Sequence, residues 1–229
     1  MIPNLASKEV HTWCVRLDVP RDLAERLYAT LSPEERFRSA RFRFDRDRRR
    51  FVVAHGALRD LLGRYVGTRP GDIRFIHNAF GKPGLGPGLG GRLKFNLSHS
   101  GDLALIAIAA DADVGVDVER AREGSDYPEI AWSFFSAAEI DDLNGVPSHL
   151  YAESFLGCWT QKEAYMKARG EGFEIPPASF SVSQLNGAWS LHTLRPAPGY
   201  VGAVAVEGTG WSLSQHPWNL STVFVDAAF

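Results

Sequence analysis

The sequence of 229 residues predicts an α+β fold with two similar halves, and three observations support this prediction. Segments with strand composition meet in hairpins, as in residues 93–110, where two apolar strands flank a short polar turn. Long segments with helical periodicity lie between groups of strands, which favours α+β over a parallel α/β sheet. The order of strand, helices and further strands occurs roughly twice, and an apolar content of 45% is sufficient for a real core.

The first half is predicted to contain strands and at least two helices. Residues 11–19 have strand composition. The segment Ser32-Pro33-Glu34-Glu35 then supplies an N-cap serine, a proline at the first helical position and a glutamate at the third, which predicts the start of a helix. Apolar residues recur at helical spacing from Asp45 to about Tyr65, so a long helix with one buried face is expected there. Residues 72–78 have strand composition and precede the hairpin of residues 93–110.

A glycine-rich segment and a second set of elements follow. Residues 81–91 contain six glycines in eleven positions, so we expect a surface loop, either a flexible hairpin connection or a backbone that approaches a ligand. The second half is predicted to have a strand at 114–119, helices near 128–143 and 150–169, and strands to the C-terminus. Ser136 and Glu139 predict a second capping box, and Trp159 is expected to pack in the core.

The charges are distributed unevenly along the chain. Residues 1–105 contain 19 basic and 11 acidic residues, whereas residues 106–229 contain 6 basic and 16 acidic residues. This asymmetry predicts an N-terminal half, 1–105, that binds anions and a C-terminal half, 106–229, that could hold cations. The alternative is a chance difference in surface composition.

Composition argues against several classes of protein. The two cysteines, Cys14 and Cys158, are far apart and outside any CxxC pair, so neither a disulfide framework nor a zinc site is indicated. The N-terminus lacks a basic region followed by an apolar run, and no stretch approaches 18 uninterrupted apolar residues. Eight arginines between residues 36 and 50 could bind nucleic acid, but a pI near 6.4 and the absence of a nucleic-acid motif argue against it. We expect a soluble cytoplasmic protein that binds neither membranes nor nucleic acids.

Three acidic residues are candidates for a metal site. Asp117 and Glu119 are alternate residues of a strand, so they point to the same face about 7 Å apart. Glu163 and Lys167 lie one turn apart on one face of a predicted helix. Carboxylates with no histidine or cysteine nearby suit Mg²⁺, which commonly binds phosphate oxygens, and Lys167 would contact the anion. The alternatives are a solvent-facing strand edge and a helix-surface ion pair worth about 0.3–0.5 kcal/mol.

Five motifs in a fixed order give the sequence a resemblance to a known family. They are GKP (81–83), FNLSHS (95–100), GVDVE (115–119), FFSAAE (134–139) and WTQKEAYMKARGEG (159–172). Their order and spacing resemble the 4'-phosphopantetheinyl transferases of the Sfp type, over a region from about Ser32 to about Val206. The chain length also resembles this type rather than the shorter, trimeric carrier-protein synthases.

The resemblance implies a monomeric enzyme in which two related α+β halves surround a central cleft. The implied reaction transfers the 4'-phosphopantetheine group of coenzyme A to a serine of an apo acyl or peptidyl carrier protein and releases adenosine 3',5'-bisphosphate. The implied cofactor is Mg²⁺, with Mn²⁺ as an alternative, which polarises the phosphoryl oxygens. Carrier proteins of polyketide, nonribosomal-peptide or fatty-acid synthesis would be the partners.

The resemblance also implies roles for particular residues. Asp117, Glu119 and Glu163 match the metal ligands, and Asp117, Glu163 and Lys167 match the catalytic groups. Glu163 would remove the serine proton, directly or through a water. The residues that match coenzyme A ligands are Arg38, Arg50, Lys82, Pro83, Ser98, His99 and Lys167. Glu35 departs from the pattern, because a phosphate-binding lysine is often found there, so one anion contact is missing or comes from a neighbour such as Arg36.

Two other functions remain open from the sequence. A non-catalytic module that binds coenzyme A or a nucleotide would keep the phosphate contacts without the chemistry, although the intact Asp117, Glu119, Glu163 and Lys167 argue against it. A magnesium-dependent hydrolase of nucleotide diphosphates would turn over without a carrier protein, so carrier dependence of turnover distinguishes it.

Overall fold

The computed structural model describes residues 4–122, 124–185 and 187–219. The first half contains β1 (Glu9–Arg16), α1 (Arg21–Thr30), α2 (Pro33–Ala40), α3 (Asp45–Val66), β2 (Phe75–His77), β3 (Pro83–Leu85), β4 (Leu93–Ser100) and β5 (Leu103–Ala110). The second half contains β6 (Val114–Arg120), α4 (Tyr127–Phe134), α5 (Ala137–Asn144), α6 (Ser148–Arg169), β7 (Trp189–Leu194), β8 (Tyr200–Glu207) and β9 (Ser212–Pro217). Helix α1 and the short strand β3 are additions that the sequence pattern did not predict.

The same arrangement of strands occurs in both halves. β5 pairs antiparallel with both β1 and β4, and β8 pairs antiparallel with both β6 and β7. The long helices α3 and α6 each have 22 residues and end at a glycine with a left-handed backbone, Gly67 (φ 69°) and Gly170 (φ 65°). Glycine adopts this conformation at little cost. The predicted α+β fold with two similar halves is therefore confirmed.

A buried ion pair repeats in the two halves as well. Glu35 of the capping box of α2 accepts a hydrogen bond from Nε of Arg59 in α3 at 2.6 Å. Glu139 of the capping box of α5 accepts one from Nζ of Lys162 in α6, also at 2.6 Å. Arg59 and Lys162 are each 14 residues beyond the first residue of their helices. Both predicted capping boxes are confirmed, and the buried cations fix each short helix on a long one.

Apolar side chains pack in layers on both sides of the larger sheet. Helix α3 covers one face of the sheet β4-β5-β1, and Leu58 of α3 and Ile106 of β5 belong to the same buried cluster. The opposite face packs against the sheet of the second half, where Leu105 and Val204 belong to the same cluster. The core thus joins the two halves over the faces of their sheets.

Helix α6 covers the outer face of the second sheet. Ala164 belongs to a cluster with Ala203 of β8. Earlier in the same helix, the indole of Trp159 stacks on Phe155 with the ring centroids 6.1 Å apart. Trp159 is only partly buried, so it packs against a core cluster instead of within the core as predicted, and its stacking fixes one side of the helix that carries Glu163.

Two features cross the predicted division between residues 105 and 106. The division falls inside β5, and β9 from the second half pairs in parallel with β1 at the edge of the first sheet. Trp218, which directly follows β9, is buried, and its Nε1 donates a hydrogen bond to Oδ2 of Asp60 in α3 at 2.9 Å. A segment of the second half therefore completes the sheet of the first.

Trp218→Phe is expected to lower the free energy of unfolding by about 1–3 kcal/mol, because it leaves the buried Oδ2 of Asp60 with Arg64 as its remaining partner. Urea unfolding followed by circular dichroism measures the change. Trp132→Phe is the matched control, because Trp132 is 72% exposed and its replacement is expected to change the free energy of unfolding by less than about 0.5 kcal/mol. Equal losses in the two variants would contradict this role of Trp218.

Candidate active site

The absence of a side chain at Gly115 lets helix α6 lie directly on strand β6. A Cβ atom at this position would be 2.0 Å from the carbonyl oxygen of Ala164 and 2.3 Å from the backbone nitrogen of Ala168. Gly115, Asp117 and Glu119 share one face of β6 because side chains alternate along a strand. The close approach at Gly115 therefore brings the end of α6 next to the two acids.

Asp117 is a buried carboxylate with one satisfied oxygen. Its exposure is 3%, which excludes the alternative of a solvent-facing strand edge. Oδ1 accepts hydrogen bonds from Nζ of Lys167 at 2.6 Å and from Oγ of Ser98 at 2.7 Å. Oδ2 is buried and has no hydrogen-bond partner among the residues that the structure describes. A buried carboxylate oxygen without a partner is costly unless a cation binds it.

Glu119 and Glu163 lie in the same electrostatic environment. Withdrawal from water raises the pKa of Glu119, and the charge of Asp117 acts in the same direction, against a hydrogen bond from Ser100 and the charge of Lys167. Withdrawal from water also raises the pKa of Glu163, and there Lys167 opposes the repulsion from Asp117 and Glu119. The three carboxylates therefore repel one another across a shared space that favours a cation.

The oxygen ligands of Asp117, Glu119 and Glu163 suit a hard cation, although the three side chains do not converge on a single point. Within the described ranges, no group of three histidine, cysteine, aspartate or glutamate side chains is arranged so that it could hold a metal ion. Lys167 occupies one oxygen of Asp117, and Ser100 donates to Oε2 of Glu119 at 2.7 Å. The free Oδ2 of Asp117 and the oxygen-only chemistry of the three acids nevertheless suit Mg²⁺.

Side chains of β4 connect the two halves at this site. Asn96 accepts a hydrogen bond from the backbone N–H of Val116 at 2.9 Å through Oδ1, Ser98 donates to Asp117, and Ser100 donates to Glu119. These three residues alternate along one face of β4. Ser98 was predicted from the sequence, whereas Asn96 and Ser100 were not, although the alternation of polar residues in FNLSHS indicates all three. The three side chains position both acidic residues of β6.

A basic region lies beside the carboxylates. His99 is itself exposed, at the end of the β4 face that α3 covers. Its pKa is lowered, first by withdrawal from water and then by its basic neighbours His55, Lys167 and Arg50. Arg50 of α3 forms ion pairs with Asp102 and Asp47. The guanidinium of Arg38 lies over the ring of Phe51, 5.4 Å from its centroid. Side chains from α2, α3, β4 and α6 therefore form one positively charged region.

Lys82 and Pro83 lie at the other end of the site. The ammonium of Lys82 donates a hydrogen bond to the carbonyl of Ala168 at the C-terminal end of α6, and Nδ2 of Asn78 donates to the carbonyl of Gly170 at 2.8 Å. Burial lowers the pKa of Lys82. A cavity of about 270 Å³ lies here, and its lining includes Lys82, Pro83, Asn96, Glu163, Met166 and Lys167. The structure thus places Lys82 against the end of α6, in the cavity that Glu163 and Lys167 also line.

The predicted residues therefore form two neighbouring groups, with Lys167 close to both. The first group comprises Asp117, Glu119, Glu163, Ser98, Lys82 and Pro83. The second comprises Arg38, Arg50 and His99. Such an arrangement can bind a phosphorylated ligand together with a divalent cation.

In the described part of the chain, no helix combines the length and the apolar character needed to cross a membrane.

Two family models match the chain over most of its length. Residues 113–202 match the model of the 4'-phosphopantetheinyl transferase superfamily. Residues 20–111 match the model of the N-terminal region of 4'-phosphopantetheinyl transferase. The boundary between the two matched regions lies between β5 and β6.

Individual relatives agree with the family models. The chain is 41% identical to the 4'-phosphopantetheinyl transferase HetI of Nostoc sp., over 91% of this chain and 93% of the relative. It is 34% identical to the 4'-phosphopantetheinyl transferase Sfp of Bacillus subtilis, over 69% and 68% of the two chains. It is also 34% identical to the 4'-phosphopantetheinyl transferase psf-1 of Bacillus pumilus, over 71% and 67%.

The fold, the site and these matches define a transferase of the phosphopantetheine group. The chain belongs to the 4'-phosphopantetheinyl transferase family and is an enzyme of that class. The resemblance to the Sfp type that the five motifs indicated is confirmed.

Proposed function

We propose that this enzyme transfers 4'-phosphopantetheine from coenzyme A to a serine of an apo acyl or peptidyl carrier protein in a magnesium-dependent reaction. The observation that supports the proposal best is the buried Oδ2 of Asp117 among three carboxylates, for which the described residues provide no hydrogen-bond partner. An oxygen-only ligand set suits Mg²⁺, and Mn²⁺ accepts the same ligands.

In this proposal Asp117, Glu119 and Glu163 hold the metal ion. When bound, the ion would polarise the phosphoryl oxygens and offset the charge on the leaving group. Lys167 donates a hydrogen bond to Asp117, and its positive charge also lowers the pKa of His99. In the proposed reaction its ammonium binds and orients the pyrophosphate between the two groups of residues.

Glu163 is proposed to accept the proton of the attacking serine, directly or through a water. The serine oxygen forms a bond to the β-phosphorus, the bond from that phosphorus to the bridging oxygen breaks, and adenosine 3',5'-bisphosphate leaves. Withdrawal from water and the neighbouring acids raise the pKa of Glu163. A carboxylate within hydrogen-bond reach of the serine hydroxyl can accept its proton.

In this proposal the two halves bind different ligands. Residues 1–105 supply the contacts to coenzyme A, which are Arg38, Arg50, Lys82, Pro83, Ser98 and His99. Residues 106–229 supply the metal ligands and Lys167. Because one chain contributes both groups, we propose a monomer. Both cysteines are free thiols, which suits the proposed location in the cytoplasm.

The test is the intact mass of a purified apo carrier protein after incubation with this enzyme, coenzyme A and Mg²⁺. The expected result is a mass gain of one phosphopantetheine group, which is lost when EDTA replaces Mg²⁺. Glu163→Gln is expected to abolish the gain. Glu153→Gln is the matched control, because Glu153 is an exposed residue of the same helix that pairs with Arg195.

The choice of carriers makes a negative result informative. Carriers from fatty-acid, polyketide and peptide synthesis would be tried in parallel. No mass gain with any of them, while coenzyme A still binds, would overturn the proposal in favour of a non-catalytic binding module.

A further inference from the structure

The side chain of Glu35 points into the first half instead of into the cleft. Glu35 is only 7% exposed. Its Oε2 accepts hydrogen bonds from Nε of Arg59 at 2.6 Å and from the backbone N–H of Ser32 at 2.8 Å. Its Oε1 lies 3.3 Å from Nδ1 of His55. Position 35 therefore carries a carboxylate that contacts His55, where the resemblance implies a phosphate-binding lysine.

His55 is held on two sides, and one ring nitrogen remains available. Its ring stacks on Phe51 with the centroids 4.0 Å apart, and the guanidinium of Arg38 lies over the same Phe51 ring. Because Nδ1 faces Glu35, Nε2 is directed away from that carboxylate. No hydrogen-bond partner for Nε2 is found in the described ranges, and the side chain of His55 is 19% exposed.

His55 also belongs to the basic region by its electrostatic effect. After withdrawal from water, His55, Lys167 and Arg50 are the neighbours that lower the pKa of His99. His55 and Arg38 both contact the ring of Phe51, which places the imidazole beside that guanidinium. An imidazole that donates from Nδ1 to a carboxylate and from Nε2 to an anion is in its cationic form.

Arg36, the neighbour that the sequence suggested as a substitute, is engaged elsewhere. Its Nη2 donates a hydrogen bond to the carbonyl of Ala29 at 2.8 Å, and its guanidinium lies over the ring of Tyr28. These contacts place Arg36 against α1, so it is not available to an anion near His99.

We propose that His55, oriented by Glu35, supplies the phosphate contact that is missing at position 35 and contributes to recognition of the 3'-phosphate of coenzyme A. This inference rests on the proposed function, because it assumes that coenzyme A is the ligand of the cleft. Nε2 of His55 then donates to the phosphate next to Arg38, Arg50 and His99, and Glu35 acts as a positioning residue.

The test compares the affinities of coenzyme A and dephospho-coenzyme A by isothermal titration calorimetry, without a carrier protein. The wild type is expected to prefer coenzyme A. His55→Gln is expected to weaken binding of coenzyme A about tenfold, the effect of one charge-assisted hydrogen bond, and to change that of dephospho-coenzyme A less than about twofold. His55→Lys, which restores a cation, is expected to restore most of the preference.

Matched controls separate recognition from folding. His149→Gln, on an exposed position of α6, should bind both ligands like the wild type. Equal weakening of both ligands in His55→Gln would indicate a merely structural role and overturn the inference, as would an unchanged preference for coenzyme A. A wild-type protein that binds neither ligand would instead contradict the proposed function.

Discussion

Gly115→Ala is expected to lower the free energy of unfolding by more than the roughly 1–3 kcal/mol that overpacking usually costs. The added methyl group would meet backbone atoms of Ala164 and Ala168 at 2.0 and 2.3 Å. Backbone atoms of a helix cannot rotate away as a side chain can. The substitution must therefore push α6 away from β6 or unfold the second half, and urea unfolding measures the loss.

Gly157→Ala provides the matched control for this prediction. Gly157 lies in the interior of α6, and a Cβ atom there would have no heavy atom within 4 Å other than those of its immediate helical surroundings. Alanine at this position is expected to stabilise the protein by about 0.5–1 kcal/mol, because glycine loses more conformational entropy in a helix. An unchanged stability of Gly115→Ala would contradict the close packing that brings Glu163 and Lys167 to Asp117.

Asp117→Asn is expected to reduce phosphopantetheine transfer by more than about 100-fold. Replacing a residue that only hydrogen-bonds a metal ligand already lowers metal affinity or activity by about 10–100-fold, and Asp117 is proposed to bind the metal itself. The amide keeps the shape of the carboxylate and an oxygen for Ser98 and Lys167, but it loses the charge of the proposed metal ligand. Steady-state transfer to an apo carrier protein over a range of Mg²⁺ concentrations measures the effect.

The melting temperature distinguishes a lost metal site from a lost fold in this variant. Asp117→Asn should melt close to the wild type, because it removes one of three mutually repelling charges while keeping the hydrogen bonds. Asp142→Asn, at an exposed position of α5, should leave both transfer and melting unchanged. Retention of most of the activity by Asp117→Asn would show that Asp117 is not a metal ligand.

The local parts of this structure could be predicted from the sequence because their causes are local. The capping boxes at Ser32 and Ser136 need only residues within one helical turn. The common orientation of Asp117 and Glu119 follows from the two-residue period of a strand. These short-range rules correctly indicated the long helices, the hairpin and the shared face of the acids.

The parts that could not be predicted depend on contacts between distant segments. In the sequence Lys162 is an ordinary polar residue of a helix, and its burial depends on Glu139 and the carbonyl of Phe180, which lie in other segments. The roles of Asn96 and Ser100 depend on the position of β4 beside β6, which the sequence does not reveal. The link between Glu35 and His55 likewise joins two helices. The roles assigned to Arg38, Arg50, Lys82 and His99 came from resemblance and remain predictions.

The parallel pairing of β9 with β1 has a consequence for dividing this protein into fragments. A fragment cut in the connection between β5 and β6 would contain every helix of the first half but would leave β1 as an open sheet edge. Open edges recruit other strands and promote aggregation. An isolated first half would therefore need residues 212–218 grafted onto it, and the same peptide added in trans should rescue its solubility.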